Sequence, residues 1–251
     1  MRLLERKANG DLALSEYIGN DVPAYAILSH TWATDNSEEV SFQDLEAGIG
    51  KDKTGYEKIR FCADKAAVDG LQYFWIDTCC IDKKNAVELA EAINSMFRWY
   101  QRAERCYVYL SDVSAHDIEG QHGQLGLGWE PAFRESRWFT RGWTLQELIA
   151  PTYVDFFSSE GKKLGNKSTL EAMIHEVTGI ARHALRGVPL SEFSVNERMS
   201  WAEQRHTKLI EDKVYSMLGV FDISMPLIYG EGRERALKRL QEEISKSYQG
   251  R

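Results

Sequence analysis

The sequence predicts an α/β fold in which a mainly parallel sheet is flanked by helices. Short continuous apolar runs recur through the first part of the chain, which is typical of strands buried on both faces. Segments with helical periodicity separate these runs, so each strand needs a crossover connection to the next, and neighbouring strands become parallel. This order of elements predicts a flavodoxin-like core.

The N-terminal residues predict a β-hairpin that precedes the parallel strands. Asn9-Gly10 is a two-residue turn signal, with the apolar pair Leu3-Leu4 before it and alternating apolar residues after it. The apolar runs that predict the parallel strands are residues 25–28, 73–76, 106–110 and 153–157.

Helices are predicted between these strands. The first covers residues 56–69 and ends at Gly70, and the second begins at Asn85, which forms a capping-box pattern with Glu88. A long polar loop precedes the first of these helices. A glycine-rich loop at 120–128 and helical segments at 131–149 connect the last two strands.

Beyond Ser158 the pattern predicts helices only. We expect one domain over residues 1–251, in which 1–157 form the α/β core and 158–251 form a helical extension packed on that core. The local signals are capping boxes of Ser168 with Glu171 and of Ser194 with Glu197, a stop at Gly179, and helical periodicity at 211–218 and 231–248.

The composition argues against several classes of protein. The apolar share of 43% and the charged share of 27% are ordinary for a soluble globular protein. The net charge is −7 and no run of four Lys or Arg occurs, which argues against a nucleic-acid partner. No apolar stretch approaches the ~18 residues of a membrane span. Four cysteines without a disulfide framework, behind a polar N-terminus, predict a cytoplasmic protein.

Polar residues follow the predicted strands at their carboxyl ends, where open α/β sheets bind their ligands. Ser29, His30 and Trp32 follow the first parallel strand, and Asp77 and Cys79 follow the second. These side chains are therefore candidates for one crevice.

The segment 136–148, after the third parallel strand, is the densest in chemistry-bearing residues. Trp143 and Glu147 stand four positions apart, so they share a face on a helix. An indole stacks on planar rings, the Arg141 guanidinium pairs with phosphate, and a carboxylate stabilises developing positive charge. This set suits a dinucleotide.

Structural roles for the same residues stay open at this point. Thr144 and Glu147 also fit a capping box with both nearby tryptophans in the core. The other structural interpretations are an interior hydrogen-bonded His30, a turn-capping Asp77, buried small side chains at Cys79 and Cys80, and a surface ion pair for Arg141.

Several stronger motifs are absent from the sequence. It contains no Walker A loop, no Gly-x-Gly-x-x-Gly, no nucleophile elbow and no Cys-x-x-Cys or His-Glu-x-x-His pattern. This argues against P-loop, Rossmann dehydrogenase, α/β-hydrolase and zinc enzymes, and no metal site is expected.

Seven sequence blocks resemble, in collinear order, those of the fungal heterokaryon incompatibility (HET) domain family. The blocks are YAILSHTW at 25–32, GYEKI at 55–59, WIDTCCIDK at 75–83, EAINSMF at 91–97, RGWTLQELIAP at 141–151, RMSWA at 198–202 and EDKVYSMLG at 211–219. The chain is especially similar to N-terminal HET domains of NLR-like proteins, which carry a NACHT region and WD repeats downstream. The resemblance implies a cell-death effector of self/non-self recognition that self-associates on activation and works with such a downstream region or an upstream NLR-like partner.

HET domains are similar in element order to Toll/interleukin receptor (TIR) domains, many of which cleave NAD⁺. TIR enzymes carry the catalytic glutamate in a Trp-x-x-x-Glu context, which Trp143 and Glu147 match. The resemblance therefore implies an NAD⁺ nucleosidase in which Glu147 is catalytic and NAD⁺ is a substrate, with no cofactor. Ser29, His30, Trp32, Asp77, Cys79, Arg141 and Trp143 are then the substrate-binding residues.

Three functional hypotheses follow from the sequence. The first is the NAD⁺ nucleosidase. The second is a non-catalytic module that signals by homotypic assembly, which the lack of a strong enzymatic motif favours. The third is a thiol hydrolase that uses Cys79 or Cys80 with His30.

Overall fold

Four parallel strands form the centre of the sheet in the computed structural model, which describes residues 1–19, 21–115 and 128–249. The sheet has seven strands over these residues, in the order β2-β1-β4-β3-β5-β6-β7. The strands are β1 Arg2–Arg6, β2 Leu12–Glu16, β3 Tyr25–His30, β4 Tyr73–Trp75, β5 Arg105–Tyr109, β6 Val154–Phe157 and β7 Lys163–Asn166.

The parallel strands confirm the predicted flavodoxin-like order. β3 pairs in parallel with both β4 and β5, and β5 pairs in parallel with β6. In chain order these four strands lie second-first-third-fourth, which matches the start of the flavodoxin order. The chain reverses direction across the sheet at β3, so a crevice is expected beyond the carboxyl ends of β3 and β5.

The predicted hairpin is also confirmed. β1 and β2 pair antiparallel, and β1 joins the sheet through an antiparallel contact with β4, where Leu4 lies opposite Phe74. All six residues of β3 are buried: the apolar run 25–28, as predicted, and also the polar residues Ser29 and His30 that end the strand.

Helices cover the sheet as the sequence predicts, although several are short. The helix predicted at 56–69 ends just before Gly70, which has a φ of 74° that only glycine adopts without strain. The helices are α1 Phe42–Glu46, α2 Tyr56–Val68, α3 Ala86–Arg102, α4 Glu130–Glu135, α5 Thr144–Ile149, α6 Glu171–Thr178, α7 Arg182–Leu185, α8 Val195–Ser200, α9 Asp212–Tyr215 and α10 Arg233–Gln249. Four 3-10 turns lie at Asn36–Glu38, Arg137–Thr140, Leu190–Glu192 and Gly219–Phe221.

The prediction of helices only beyond Ser158 is wrong at β7, which pairs antiparallel with β6. This edge strand has four residues and no apolar alternation, so its sequence gives no strand signal. Gly165 permits its close packing, because a Cβ there would lie 2.8 Å from Leu170 Cγ. The polar loop before α2 likewise contains α1, which Ser41 and Asp44 begin with a capping box.

None of the three predicted capping boxes is complete in the structure. Asn85 accepts from the backbone of α3, but Glu88 accepts from the Asp82 backbone N–H instead of closing the box. No side chain caps α6, whose Glu171 pairs with Arg186 instead. Ser194 caps α8 by accepting from the Glu197 backbone N–H, which is half of the predicted box, and Gly179 ends α6 as predicted.

Buried side chains from Leu3 to Ile244 form one hydrophobic cluster. The predicted boundary at residue 157 stays a prediction. Within the described part of the chain, no helix has both the length and the apolar character needed to cross a membrane. Residues 120–127 of the predicted glycine-rich loop lie outside the described residues.

Candidate functional site

Glu147 lies inside the protein, where α5 packs against β3. All six residues of α5 are buried, and Glu147 is 7% exposed. The Ser29 hydroxyl, near the carboxyl end of β3, donates a hydrogen bond to Glu147 Oε2. Trp138 Nε1 donates to Ser29 Oγ at 2.9 Å, so the 3-10 turn before α5 fixes the serine.

Burial raises the pKa of Glu147 to about 8. The hydrogen bond from Ser29 lowers this pKa and the nearby charge of Asp77 raises it, while the Arg205 guanidinium and the Tyr100 hydroxyl lower it further. Glu147 is therefore mostly a neutral acid at pH 7 in the unliganded protein.

Asp77, two residues beyond the end of β4, is the ionised carboxylate of the site. It accepts from Trp32 Nε1 at 2.9 Å and from Lys83 Nζ at 3.2 Å, and it pairs with His30 Nε2 at 3.0 Å. Burial alone would raise the pKa of Asp77, but Lys83 and His30 outweigh burial and hold it well below its usual range. The Lys83 ammonium also lies 3.7 Å from the centroid of the Trp32 ring, a cation–π contact.

The two carboxyl groups of the site therefore differ in protonation state. Glu147 is a proton donor at neutral pH, whereas Asp77 is an anion. Environments that push two neighbouring pKa values apart are a property of acid–base and electrostatic catalytic sites, although structural networks also produce them.

Arg205 is a site residue that the sequence analysis missed. It is 2% exposed, and its Nη1 donates to Arg141 O at 2.9 Å and to Thr144 Oγ1 at 2.8 Å. Burial lowers the pKa of Arg205 to about 10, and the charge of Glu147 opposes that shift. The C-terminal half of the chain thus supplies the cation that faces Glu147.

Tyr100 of α3 was also missed. Its hydroxyl donates to Leu28 O at 2.9 Å and is close enough to lower the pKa of Glu147. Neither Tyr100 nor Arg205 stands at a strand end or in a conspicuous polar motif. Only their tertiary positions identify them.

Three buried polar atoms in this region have no hydrogen-bond partner among the described residues. They are His30 Nδ1, Gln146 Nε2 and Arg205 Nη2. Buried polar atoms in proteins nearly always have a partner, so such atoms are positions for ligand or water contacts.

The remaining predicted site residues lie elsewhere. Cys79 is fully buried with a strongly raised pKa, because burial disfavours the thiolate. Its proposed place in a pocket lining therefore has no support, and the same burial argues against the thiol-hydrolase hypothesis. Cys80 is likewise buried and packs as a small core residue.

Arg141 and Trp143 belong to a second cluster around Asp212. Trp143 Nε1 approaches Asp212 Oδ2 at 3.4 Å, and Tyr229 donates to the other oxygen at 2.9 Å. Trp143 stands at the N-terminal boundary of α5 with helical backbone angles (φ −63°, ψ −32°), so its four-residue spacing to Glu147 is that of a helix. Within the described residues, no hydrogen bond joins Arg141 or Trp143 to the Glu147 carboxyl.

The capping-box alternative for Thr144 and Glu147 is wrong. Thr144 Oγ1 donates to Trp138 O at 2.6 Å and accepts from Arg205, and no side chain caps α5. The interior interpretation of His30 is confirmed, since it is buried and bonded to Asp77. No group of three or more potential metal ligands occurs within the described residues.

Comparisons of the sequence with known proteins point to one family. Residues 25–125 match the family model described as "Heterokaryon incompatibility protein (HET)". The chain is 57% identical over 249 residues to "Vegetative incompatibility protein HET-E-1" of Podospora anserina, a match that covers 98% of this chain. The chain spans only 18% of the length of that relative. No solved structure matches the chain.

Proposed function

We propose that this chain, which carries a heterokaryon incompatibility (HET) domain, is a cytoplasmic cell-death effector of fungal vegetative incompatibility that cleaves the N-glycosidic bond of NAD⁺. The relative named as a vegetative incompatibility protein supports the biological role. That relative is much longer than this chain, in line with an effector domain that works with a NACHT and WD-repeat region or an NLR-like partner.

One observation carries the enzymatic proposal, namely the buried carboxyl of Glu147 with a pKa of about 8 beside β3. It lies next to the strand at which the sheet order reverses, where flavodoxin-like folds bind nucleotides. Unpartnered atoms of His30, Gln146 and Arg205 are the contacts that we expect a ligand to use.

The chemistry requires one carboxylate near the ribose. The bond between C1′ and the nicotinamide nitrogen breaks, and its electron pair neutralises the pyridinium, so no general acid is needed. The ribose left behind has oxocarbenium character, which an ionised carboxylate stabilises until water adds to C1′ and loses a proton. A cationic nicotinamide ring beside Glu147 favours the ionised form, so substrate binding itself lowers the pKa of this residue.

The test is nicotinamide release by concentrated or artificially clustered protein, compared with its Glu147→Gln variant. Glutamine has nearly the same shape and is neutral, as Glu147 mostly is at pH 7, so the fold is retained. We expect a loss of about 100-fold or more, the usual effect of removing an electrostatic stabiliser of the transition state.

Asp155→Asn is the matched control, because it removes another buried carboxylate, one that pairs with Lys163 on the edge strand. This variant retains nicotinamide release. A folded Glu147→Gln protein with full activity would refute the catalytic role.

An exposed apolar surface favours a second function, that of a self-association module. The surface consists of Leu209, Ile210, Ile228 and Tyr229, all at least 40% exposed. Hydrogen bonds from Gly230 to Glu211 and from Tyr229 to Asp212 join its two segments. Contiguous exposed apolar residues are typical of protein interfaces, and a second copy of this chain is the proposed partner.

Ile210→Glu separates this function from catalysis. Ile210 is 60% exposed, and a charge there should lower the concentration-dependent mass in light scattering and abolish cell killing. Val87→Glu, at a 78% exposed position on α3, is the control. If Glu147→Gln kills and Ile210→Glu does not, the domain is a non-catalytic assembly module.

A further inference from the structure

A cleft of about 690 Å³ lies away from Glu147, between α3, the end of α5 and the turns near residues 187 and 221. This volume is within the range of small-molecule and cofactor sites. Glu147 is not among the lining residues, so the cleft is separate from the Glu147 carboxyl.

One wall of the cleft is held closely against α3. The Asn94 side chain donates to Met225 O at 3.2 Å and accepts from Met225 N at 3.0 Å. A Cβ at Gly219 would lie 2.0 Å from Phe97 Cβ, so only glycine fits there. Asp222, in the same wall, has a φ of 56°, and it is the one non-glycine residue with positive φ in the part of the chain that the structure describes. Such backbone strain concentrates at functional sites.

The charged side chains of the cleft are mainly basic, although the whole chain has a net charge of −7. The basic residues are Arg98, Lys167, Arg186 and Arg198, and Asp222 is the acidic one. Arg186 is bound by Glu171, whereas Arg98 and Lys167 have no ion pair among the described residues. The cleft therefore favours an anion.

Lys167 is the more buried of these two cleft cations. It is 7% exposed, and its ammonium donates to Leu148 O and Pro151 O at the end of α5. Two carbonyl groups solvate this charge but do not neutralise it. An anionic group in the cleft would supply the missing countercharge.

The cleft also has apolar walls. Phe97, Val188, Leu190 and Ile223 line it and are partly exposed. Such a surface suits a ring system or an organic group rather than a bare inorganic ion.

We propose that this cleft binds an organic phosphate of nucleotide size, with its phosphates at Arg98 and Lys167 and its organic part against Phe97. Arginine and lysine are the side chains that bind phosphate, as a fork and as a point charge respectively. The site takes a different part of the surface from the one that we assign to NAD⁺ cleavage.

The experiment measures ADP binding by calorimetry to the full chain carrying Glu147→Gln, which removes the proposed cleavage. Failure of the cleft and failure of the catalytic proposal are then distinguishable, because binding is measured in a protein that does not depend on cleavage. We expect ADP to bind more tightly than either pyrophosphate or adenosine, since the cleft contacts both parts. Binding weakens as salt is raised from low to moderate concentration.

Arg98→Gln weakens ADP binding about tenfold or more, the usual effect of removing a hydrogen bond to a charged group. Arg102→Gln is the control, because Arg102 is an exposed arginine of the same helix outside the cleft. The proposal is overturned if ADP does not bind at millimolar concentration, if adenosine or pyrophosphate binds as tightly as ADP, or if the two arginine variants bind ADP equally.

Discussion

Glu147 carries most of the functional argument at the residue scale, and its chemistry depends on a few neighbours. Ser29 and His30 end β3, and Trp32 and Asp77 lie just beyond strand ends. Because parallel strands bring their carboxyl ends to one edge of the sheet, the sequence was sufficient to group these residues. The roles of Arg205 and Tyr100 could not be predicted from the sequence, because their distances from Glu147 depend on tertiary packing. Trp143 was grouped with Glu147 by its helical spacing, but its indole nitrogen bonds to Asp212, a partner that the spacing does not reveal.

The raised pKa of Glu147 predicts a pH-dependent stability. The carboxyl binds its proton more tightly in the folded state, with a pKa of about 8, than in the unfolded chain, where the ordinary value is 4.5. Protonation thus contributes stability that is complete below about pH 4.5 and is lost as the pH rises through about 8. The wild type therefore loses stability across this window relative to Glu147→Gln, by on the order of 4 kcal/mol.

Urea unfolding of both proteins at a series of pH values from 5 to 8 measures this difference. The variant serves as the reference for the wild type, because the two proteins share all other titrating groups. A gap between the two unfolding free energies that stays constant over this range would contradict a raised pKa at Glu147.

Arg205 acts on Glu147 through charge, so its removal should change the proton affinity of the carboxyl. Arg205→Gln removes the cation that lowers the pKa of Glu147, and the pKa therefore rises. We expect the pH at which the stability gap levels off to move upward, and any nicotinamide release to require higher pH. Arg205→Lys keeps the charge and should restore the profile in part.

A merely structural role for Arg205 predicts a different result. Loss of its bonds to Arg141 O and Trp201 O would then lower stability by the same amount at each pH. A change in how the unfolding free energy depends on pH indicates the electrostatic role, whereas an equal loss at every pH indicates the structural one.

At the scale of elements, the sequence was most informative where burial is continuous. β3 and β5 are buried throughout or nearly so, and their apolar runs identified them. Phe42 is the one buried residue of the short helix α1, and no residue of β7 is fully buried, so neither element has an apolar periodicity that could reveal it. Capping patterns were unreliable because Glu88 and Glu171 found partners elsewhere, in Arg2 and Arg186.

Asn85 caps a helix in the structure, whereas Ser168 only resembles a cap in the sequence, so substitutions at the two positions should differ in their effect on stability. Asn85 accepts hydrogen bonds from Val87 N and Glu88 N at the start of α3, so Asn85→Ala should cost about 1 kcal/mol of stability. Ser168→Ala is the matched control, because Ser168 resembles a cap in sequence but does not cap α6. We expect its effect to be within about 0.5 kcal/mol.

Thermal or urea unfolding under identical conditions gives both values. Equal losses for the two variants would mean that Ser168 forms a cap after all. No loss for Asn85→Ala would mean that the start of α3 is stabilised by packing alone.

At the scale of the whole molecule, the C-terminal half of the chain contributes contacts to the candidate site around Glu147. Gly142 N donates to His206 O at 2.9 Å, and His206 N donates to Thr140 O at 2.6 Å, so residues near 206 flank the start of α5. Arg205 reaches the same segment. Removing the region beyond residue 157 would leave the surroundings of Glu147 incomplete.

This arrangement predicts one cooperative unfolding transition for the whole chain. Because buried side chains from Leu3 to Ile244 form one cluster, fluorescence of the tryptophans and far-ultraviolet circular dichroism should follow the same urea curve. Leu4→Ala, in the hairpin, and Ile244→Ala, in α10, should each lower that single midpoint at a cost of about 2–5 kcal/mol without splitting the curve. A chain of residues 1–157 alone should lack cooperative unfolding. If Ile244→Ala instead separates an early transition from an unchanged main one, the C-terminal helices form an independent unit, and Arg205 becomes a cation that their docking brings to Glu147.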